Sequence, residues 1–72
     1  MIVLYSKRNC IQCKATKKML DKIGVEYSEV NTDDNPDYLN SIKSNGFKQL
    51  PVIEKNGEML FSGFRPSEIN KL

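Results

Sequence analysis

The stretch Ile2-Val3-Leu4-Tyr5-Ser6-Lys7-Arg8-Asn9-Cys10-Ile11-Gln12-Cys13-Lys14-Ala15-Thr16 decides how this chain folds. Ile2 to Tyr5 is short, continuously apolar and carries a β-branched pair, the pattern of a strand covered on both faces. Ser6 to Asn9 is a polar loop leaving that strand. From Cys10 to Ile23 the apolar residues Ile11, Ala15, Met19, Leu20 and Ile23 recur with a helical period and define the face expected to be buried. Gly24 then supplies the usual helix stop. A Cys-x-x-Cys pair therefore falls where a strand hands over to a helix.

Working outward, Glu26 to Asn31 reads as a second strand around Tyr27 and Val30, and it breaks into the loop Thr32-Asp33-Asp34-Asn35. Asn35-Pro36 opens a second helix, with Asn35 as the expected N-cap, an apolar face of Tyr38, Leu39 and Ile42, and a stop at Asn45-Gly46. Val52 to Lys55 and Glu58 to Ser62 flank Asn56-Gly57, a pair that favours positive φ and so predicts a tight hairpin. Pro51 stands where the third strand begins, a position that tolerates a missing N–H. Pro66 to Leu72 reads as a final short helix.

The order β-α-β-α-β-β-α describes an α/β chain with a four-stranded mixed sheet and helices on both faces. The first crossover is expected to be right-handed and the last two strands antiparallel. With no repeat, low-complexity stretch or linker, residues 1–72 are expected to form a single domain.

Composition narrows the functions. Eleven Lys and Arg against nine Asp and Glu, with no His, leave a net charge of +2. Charged residues of mixed sign make up 28% of the chain, which does not build the concentrated basic face that nucleic acid or an acidic membrane requires. No apolar run approaches the ~20 residues of a membrane-spanning helix. The basic residues Lys7 and Arg8 follow the first apolar run, the reverse of a signal peptide, so a cytoplasmic location is expected. Thiols there stay reduced unless their work is redox chemistry or metal binding.

Three readings of Cys10-Ile11-Gln12-Cys13 compete. A zinc site needs four ligands, and two cysteines with no histidine do not supply them within one chain, so no metal is expected. A structural disulfide stabilises mainly by closing a long loop in the unfolded chain, and this spacing closes almost none. A redox pair explains the spacing directly, since the second thiol reaches a mixed disulfide formed by the first. Cys10 would sit at the free N–H groups and positive end of the helix, which favour thiolate over thiol, with Lys7 and Arg8 adding to that field. Cys10 is thus the expected nucleophile and Cys13, a turn further in, the resolving thiol.

A Cys-x-x-Cys straight after a strand in a β-α-β context is the setting of a thioredoxin-like redox motif. The chain resembles the glutaredoxin branch of the thioredoxin superfamily over its whole length, through this motif, Leu50-Pro51-Val52 before a hairpin, and Gly63 at the end of the last strand. Cys10-Ile11-Gln12-Cys13-Lys14-Ala15-Thr16 together with Phe61-Ser62-Gly63-Phe64-Arg65-Pro66 resembles the NrdH-redoxins, glutaredoxin-sized electron donors to the class Ib ribonucleotide reductase. The resemblance implies a thioredoxin fold with Pro51 in cis. It implies a partner-binding surface of Gln12, Leu50, Pro51, Gly63, Phe64 and Arg65. It further implies electrons from NADPH through thioredoxin reductase, the large subunit of ribonucleotide reductase as partner, no bound cofactor, and a monomer.

The alternative within the family is a glutathione-dependent glutaredoxin. Glutaredoxins commonly carry Gly-Gly and an acidic residue before the last helix, where glutathione is held, and Ser62-Gly63-Phe64-Arg65-Pro66 replaces that acid and adds bulk. Lys7 lies where many glutaredoxins place a glutathione-binding lysine. Two further readings are an RNA-polymerase-binding regulator resembling arsenate reductase, for whose inserted helical region this chain has no room, and a dimer bridged by an iron–sulfur cluster. Phe61 stands where NrdH-redoxins often have Trp and is read as core, whereas Phe64 divides evenly between core and groove. Lys14, Lys17, Lys18 and Lys22 read as the solvated face of the first helix. The sequence leaves the reduction potential and the thiol pKa values open.

Overall fold

The computed structural model describes residues 1–72. The first strand, β1 (Ile2–Ser6), lies inside the sheet because its side chains are apolar on both faces and so demand cover on both. It pairs in parallel with β2 (Tyr27–Asn31) and antiparallel with β3 (Val52–Lys55), which pairs antiparallel with β4 (Glu58–Ser62). The strand order is β2-β1-β3-β4, and the three helices are α1 (Ile11–Ile23), α2 (Asp37–Ser44) and α3 (Pro66–Ile69).

Strand alternation divides the core between the two faces. Ile2 and Leu4 join Leu20 of α1, Ile53, Phe61 and Ile69 of α3 in one cluster. Tyr5 and Val52, directly opposite each other in the register, join Ile42 of α2 in the other. The sheet therefore carries α1 and α3 on one side and α2 on the other, as the element order implies. Leu4, Leu20, Ile53 and Ile69 have no exposed surface. The hairpin is as expected: Asn56 and Gly57 both take positive φ (52° and 85°) in a two-residue loop that sets Lys55 opposite Glu58.

Three local expectations are corrected. The buried stripe of α1 is Cys13, Thr16 and Leu20, whereas Ile11 is 85% exposed. At about 100° per residue Cys13, Thr16 and Leu20 share one face while Ile11 lies about 200° from Cys13; the sheet contact, not the apolar count, sets the phase of this helix. Asn35 does not cap α2: its side-chain amide donates to the Asn31 carbonyl at 3.1 Å, and Pro36 occupies the cap position without a side-chain hydrogen bond. Asp37 instead places an acid in the first turn, where it complements the helix dipole. Finally, α3 ends at Ile69, and the chain continues to Leu72 as turns, with the Leu72 N–H donating to the Ile69 carbonyl.

Candidate active site

The site forms at the end of β1. Asn9 takes a left-handed φ of 55°, a conformation that Asn tolerates better than most residues, and this turns the chain into α1. Cys10 follows in extended geometry as the N-cap of α1. Its Sγ accepts the Cys13 N–H at 3.1 Å and its carbonyl accepts the Lys14 N–H at 3.1 Å. A free donor at the helix start is thereby aimed at the sulfur. Cys10 and Cys13 are joined by a disulfide, with a Cα–Cα separation of 5.2 Å. The loop is tied to its neighbour between β2 and α2: the Arg8 N–H donates to Asp33 at 2.9 Å, and the Arg8 guanidinium pairs with Asp34.

The two cysteines are almost equally covered, 7% and 5% exposed, so residue burial does not separate them. Position does. Cys10 lines an open groove of about 400 Å³ with Lys7, Gln12, Lys48, Gln49 and Leu50, and Cys13 is not among its lining residues. On the buried stripe one turn beyond Cys13 lies Thr16, wholly covered, its hydroxyl donating to the Gln12 carbonyl at 2.9 Å. The fold thus turns Cys10 to the groove and keeps Cys13 on the inner face of α1.

The residues expected to bind a partner converge from three parts of the chain. The Leu50–Pro51 peptide is cis, and the Pro51 carbonyl accepts the Gly63 N–H at 2.8 Å. Gly63 has φ 83°, and a Cβ placed there would come within 2.9 Å of the Gln49 amide nitrogen and 3.5 Å of Gln12 Oε1. Gln12 reaches across to accept the Phe64 N–H at 3.2 Å, linking the helix that bears the thiols to the loop before α3. Gln12, Leu50, Pro51, Gly63 and Phe64 therefore form one neighbourhood. Arg65 is the exposed N-cap of α3 and takes part in no salt bridge. Phe61 is buried in the α1/α3 cluster, while Phe64 is 39% exposed.

Around this frame, burial and a hydrogen bond to Glu54 (3.1 Å) push the Tyr5 phenol up to about 12. Burial and a hydrogen bond to Asp21 do the same for Tyr27, to about 12. Glu29 is held below the usual carboxylate range chiefly by the hydrogen bond from Lys17, which outweighs its partial burial, with Ser6 donating a second. Lys17 is raised for the same reason, so this lysine of the solvated face has a partner, whereas Lys14, Lys18 and Lys22 have none. Lys48 and Gln49 escaped the sequence reading and were legible only through their place just before Leu50-Pro51, whereas Thr16 entered it only as the last residue of the cysteine motif.

A cysteine pair at the start of a helix that follows a central strand, its first member capping that helix and lining a groove beside a cis-proline, defines a thiol-disulfide oxidoreductase built on the thioredoxin fold. Residues 2–60 match the family model for glutaredoxins. The chain is 44% identical over 72 residues to the glutaredoxin-like protein NrdH of Lactococcus lactis subsp. cremoris, covering 100% of this chain and 99% of that one. It is 44% identical over 71 residues to that of Salmonella typhimurium, covering 99% and 86%. The solved structure of NrdH-redoxin from Escherichia coli, a glutaredoxin-like protein described as having a thioredoxin-like activity profile, superposes with a TM-score of 0.91 at 37% identity, covering 99% of this chain and 92% of that one. The chain belongs to the NrdH-type glutaredoxin-like proteins.

Proposed function

We propose that this redoxin carries electrons from NADPH, through thioredoxin reductase, to the large subunit of a class Ib ribonucleotide reductase in the cytoplasm, acting as a monomer. The Cys10 thiolate attacks a disulfide of the partner; a Cys10–partner disulfide forms and the partner's other sulfur leaves as a thiolate. Cys13 gives up its proton and attacks Cys10 Sγ, expelling the second partner sulfur. Two electrons pass to the partner, which takes up the protons as a dithiol, and the redoxin is left with the Cys10–Cys13 disulfide. The Cys13 N–H directed at Cys10 Sγ and the start of α1 stabilise negative charge on the attacking sulfur. Thioredoxin reductase then returns two electrons from NADPH.

One observation carries the preference for thioredoxin reductase over glutathione. The Phe64 N–H, at the loop where glutaredoxins hold glutathione, is already taken by Gln12 Oε1. The half-exposed Phe64 ring stands beside it, the next residue is the cation Arg65, and the acid of the first turn of α3, Glu68, is paired with Lys71. Gln12, Leu50, Pro51, Gly63, Phe64 and Arg65 then serve a protein partner rather than glutathione. The test is NADPH oxidation with a disulfide substrate, supplying electrons through thioredoxin reductase or through glutathione with glutathione reductase. Turnover with thioredoxin reductase alone is expected. Turnover with glutathione alone would assign the protein to the glutathione-dependent glutaredoxins.

A further inference from the structure

The groove that Cys10 faces has a charge pattern of its own. Lys7 and Lys48 are its only charged lining residues, both are exposed, and neither enters a salt bridge. An adjoining hollow of about 220 Å³ shares Lys7, Lys48, Gln49 and Leu50 and adds Lys43 and one carboxylate, Asp33. Asp33 accepts the Arg8 N–H, and the charge of Arg8 is met by Asp34. A track leading away from the reactive sulfur thus bears three lysines without partners, in a chain whose net charge is only +2.

We propose that this track seats an acidic polypeptide segment flanking the partner's disulfide, with carboxylates close in sequence to the attacked cysteine lying against Lys7 and Lys48. The inference rests on the disulfide-reductase reading above and names the substrate class of that same site. The physical reason is one of reach and sign. Once a partner cysteine is held at Cys10, its neighbours in sequence must run along the groove, and the long lysine side chains meet whatever charge those neighbours carry. Such exposed pairs are individually weak, so their effect falls mainly on the rate of encounter and vanishes with added salt.

The experiment uses the full chain, reduced with dithiothreitol and desalted, mixed with short synthetic peptides that contain an internal disulfide and differ only in flanking Glu, Gln or Lys. Oxidation of the redoxin is followed by stopped flow. At about 0.01 M ionic strength, where the Debye length is about 30 Å, the acidic peptide is expected to react on the order of three- to tenfold faster than the neutral one, and the basic peptide more slowly. At about 1 M ionic strength the rates converge. Lys7→Gln/Lys48→Gln abolishes the acidic preference and Lys7→Arg/Lys48→Arg retains it. Lys22→Gln/Lys55→Gln, the same change in net charge away from the groove, also retains it. Equal rates for all peptides in the wild type, or an acidic preference that survives in Lys7→Gln/Lys48→Gln, would overturn the proposal. It would also fall if the control variant lost the preference equally, or if glutathione disulfide outran every peptide and lost that advantage in Lys7→Gln/Lys48→Gln. If the dithiol form reduced none of the peptides, the disulfide-reductase reading itself would fail.

Discussion

Gly63→Ala tests how tightly the loop before α3 is built onto the thiols. Gly63 holds φ 83°, its N–H donates to the Pro51 carbonyl at 2.8 Å, and a Cβ would stand 2.9 Å from the end of the Gln49 side chain. Left-handed backbone costs an L-residue roughly 1–2 kcal/mol. Displacing Gln49 from its rotamer adds on the order of 0.5–1.5 kcal/mol, and the stiffer unfolded chain returns about 0.4–1 kcal/mol. The net loss is about 1–2.5 kcal/mol, which in a domain this small lowers Tm by roughly 4–8 °C per kcal/mol. Urea unfolding of the oxidised protein checks it: the midpoint should fall with m unchanged. Because the Gln49 amide is the flexible end of a side chain, Gly63→Ala/Gln49→Ala should recover only the smaller share, leaving the backbone share in place. Reduction of a peptide disulfide should slow as well, since Gly63 is hydrogen-bonded to Pro51 and its neighbour Phe64 to Gln12. A Gly63→Ala protein within about 0.3 kcal/mol of wild type would refute the argument, for then neither the left-handed φ nor the close approach constrains this loop.

Three further outcomes are expected. Cys13→Ser should accumulate a mixed disulfide between Cys10 and the partner, seen on non-reducing gels, and Cys10→Ser should accumulate none; full activity in both variants would exclude the mechanism. Tyr5 is protonated to about 12 in the folded protein and to 10.0 in the reference state, so its contribution is fully present below pH 10 and is lost as pH rises through about 12. Denaturation midpoints measured across that window should fall less steeply in Tyr5→Phe, the difference approaching 1.4 kcal/mol per pH unit; at neutral pH the same variant should lose about 0.5–1.5 kcal/mol with its hydrogen bond to Glu54. Leu20→Ala, which empties a fully buried position between α1 and the sheet, should cost about 2–5 kcal/mol, visible as a midpoint shift in urea or outright failure to fold.

Much of the fold was legible in local signals. The apolar run Ile2–Tyr5, the stop at Gly24 and the Asn56-Gly57 hairpin each act within a few residues, and the structure reproduces them at the expected places. So was the chemistry: Cys-x-x-Cys at a strand-to-helix junction needs no tertiary information to be read as a redox pair. What failed were the readings in which a local preference met a competing partner. Ile11 belongs to the apolar count of α1, yet the helix turns Cys13, Thr16 and Leu20 to the sheet and leaves Ile11 in solvent. Asn35 is a good capping residue by type, but the Asn31 carbonyl claims its amide first.

The sequence by itself therefore determined the order of elements, the identity of the reactive pair and the placement of Cys10 at a helix start, because hydrophobic period, turn chemistry and capping act over short stretches of chain. Only the tertiary structure showed that Cys10 lines the groove and Cys13 does not, and that Phe64 is half exposed. It alone brought Gln12 to the Phe64 N–H and Gly63 to the Pro51 carbonyl. These are contacts between segments far apart in the chain, and the register of β3 against β1 and of β4 against β3 sets them. That register follows from burying Leu4 opposite Ile53 and Tyr5 opposite Val52, a condition satisfied only when the whole sheet assembles.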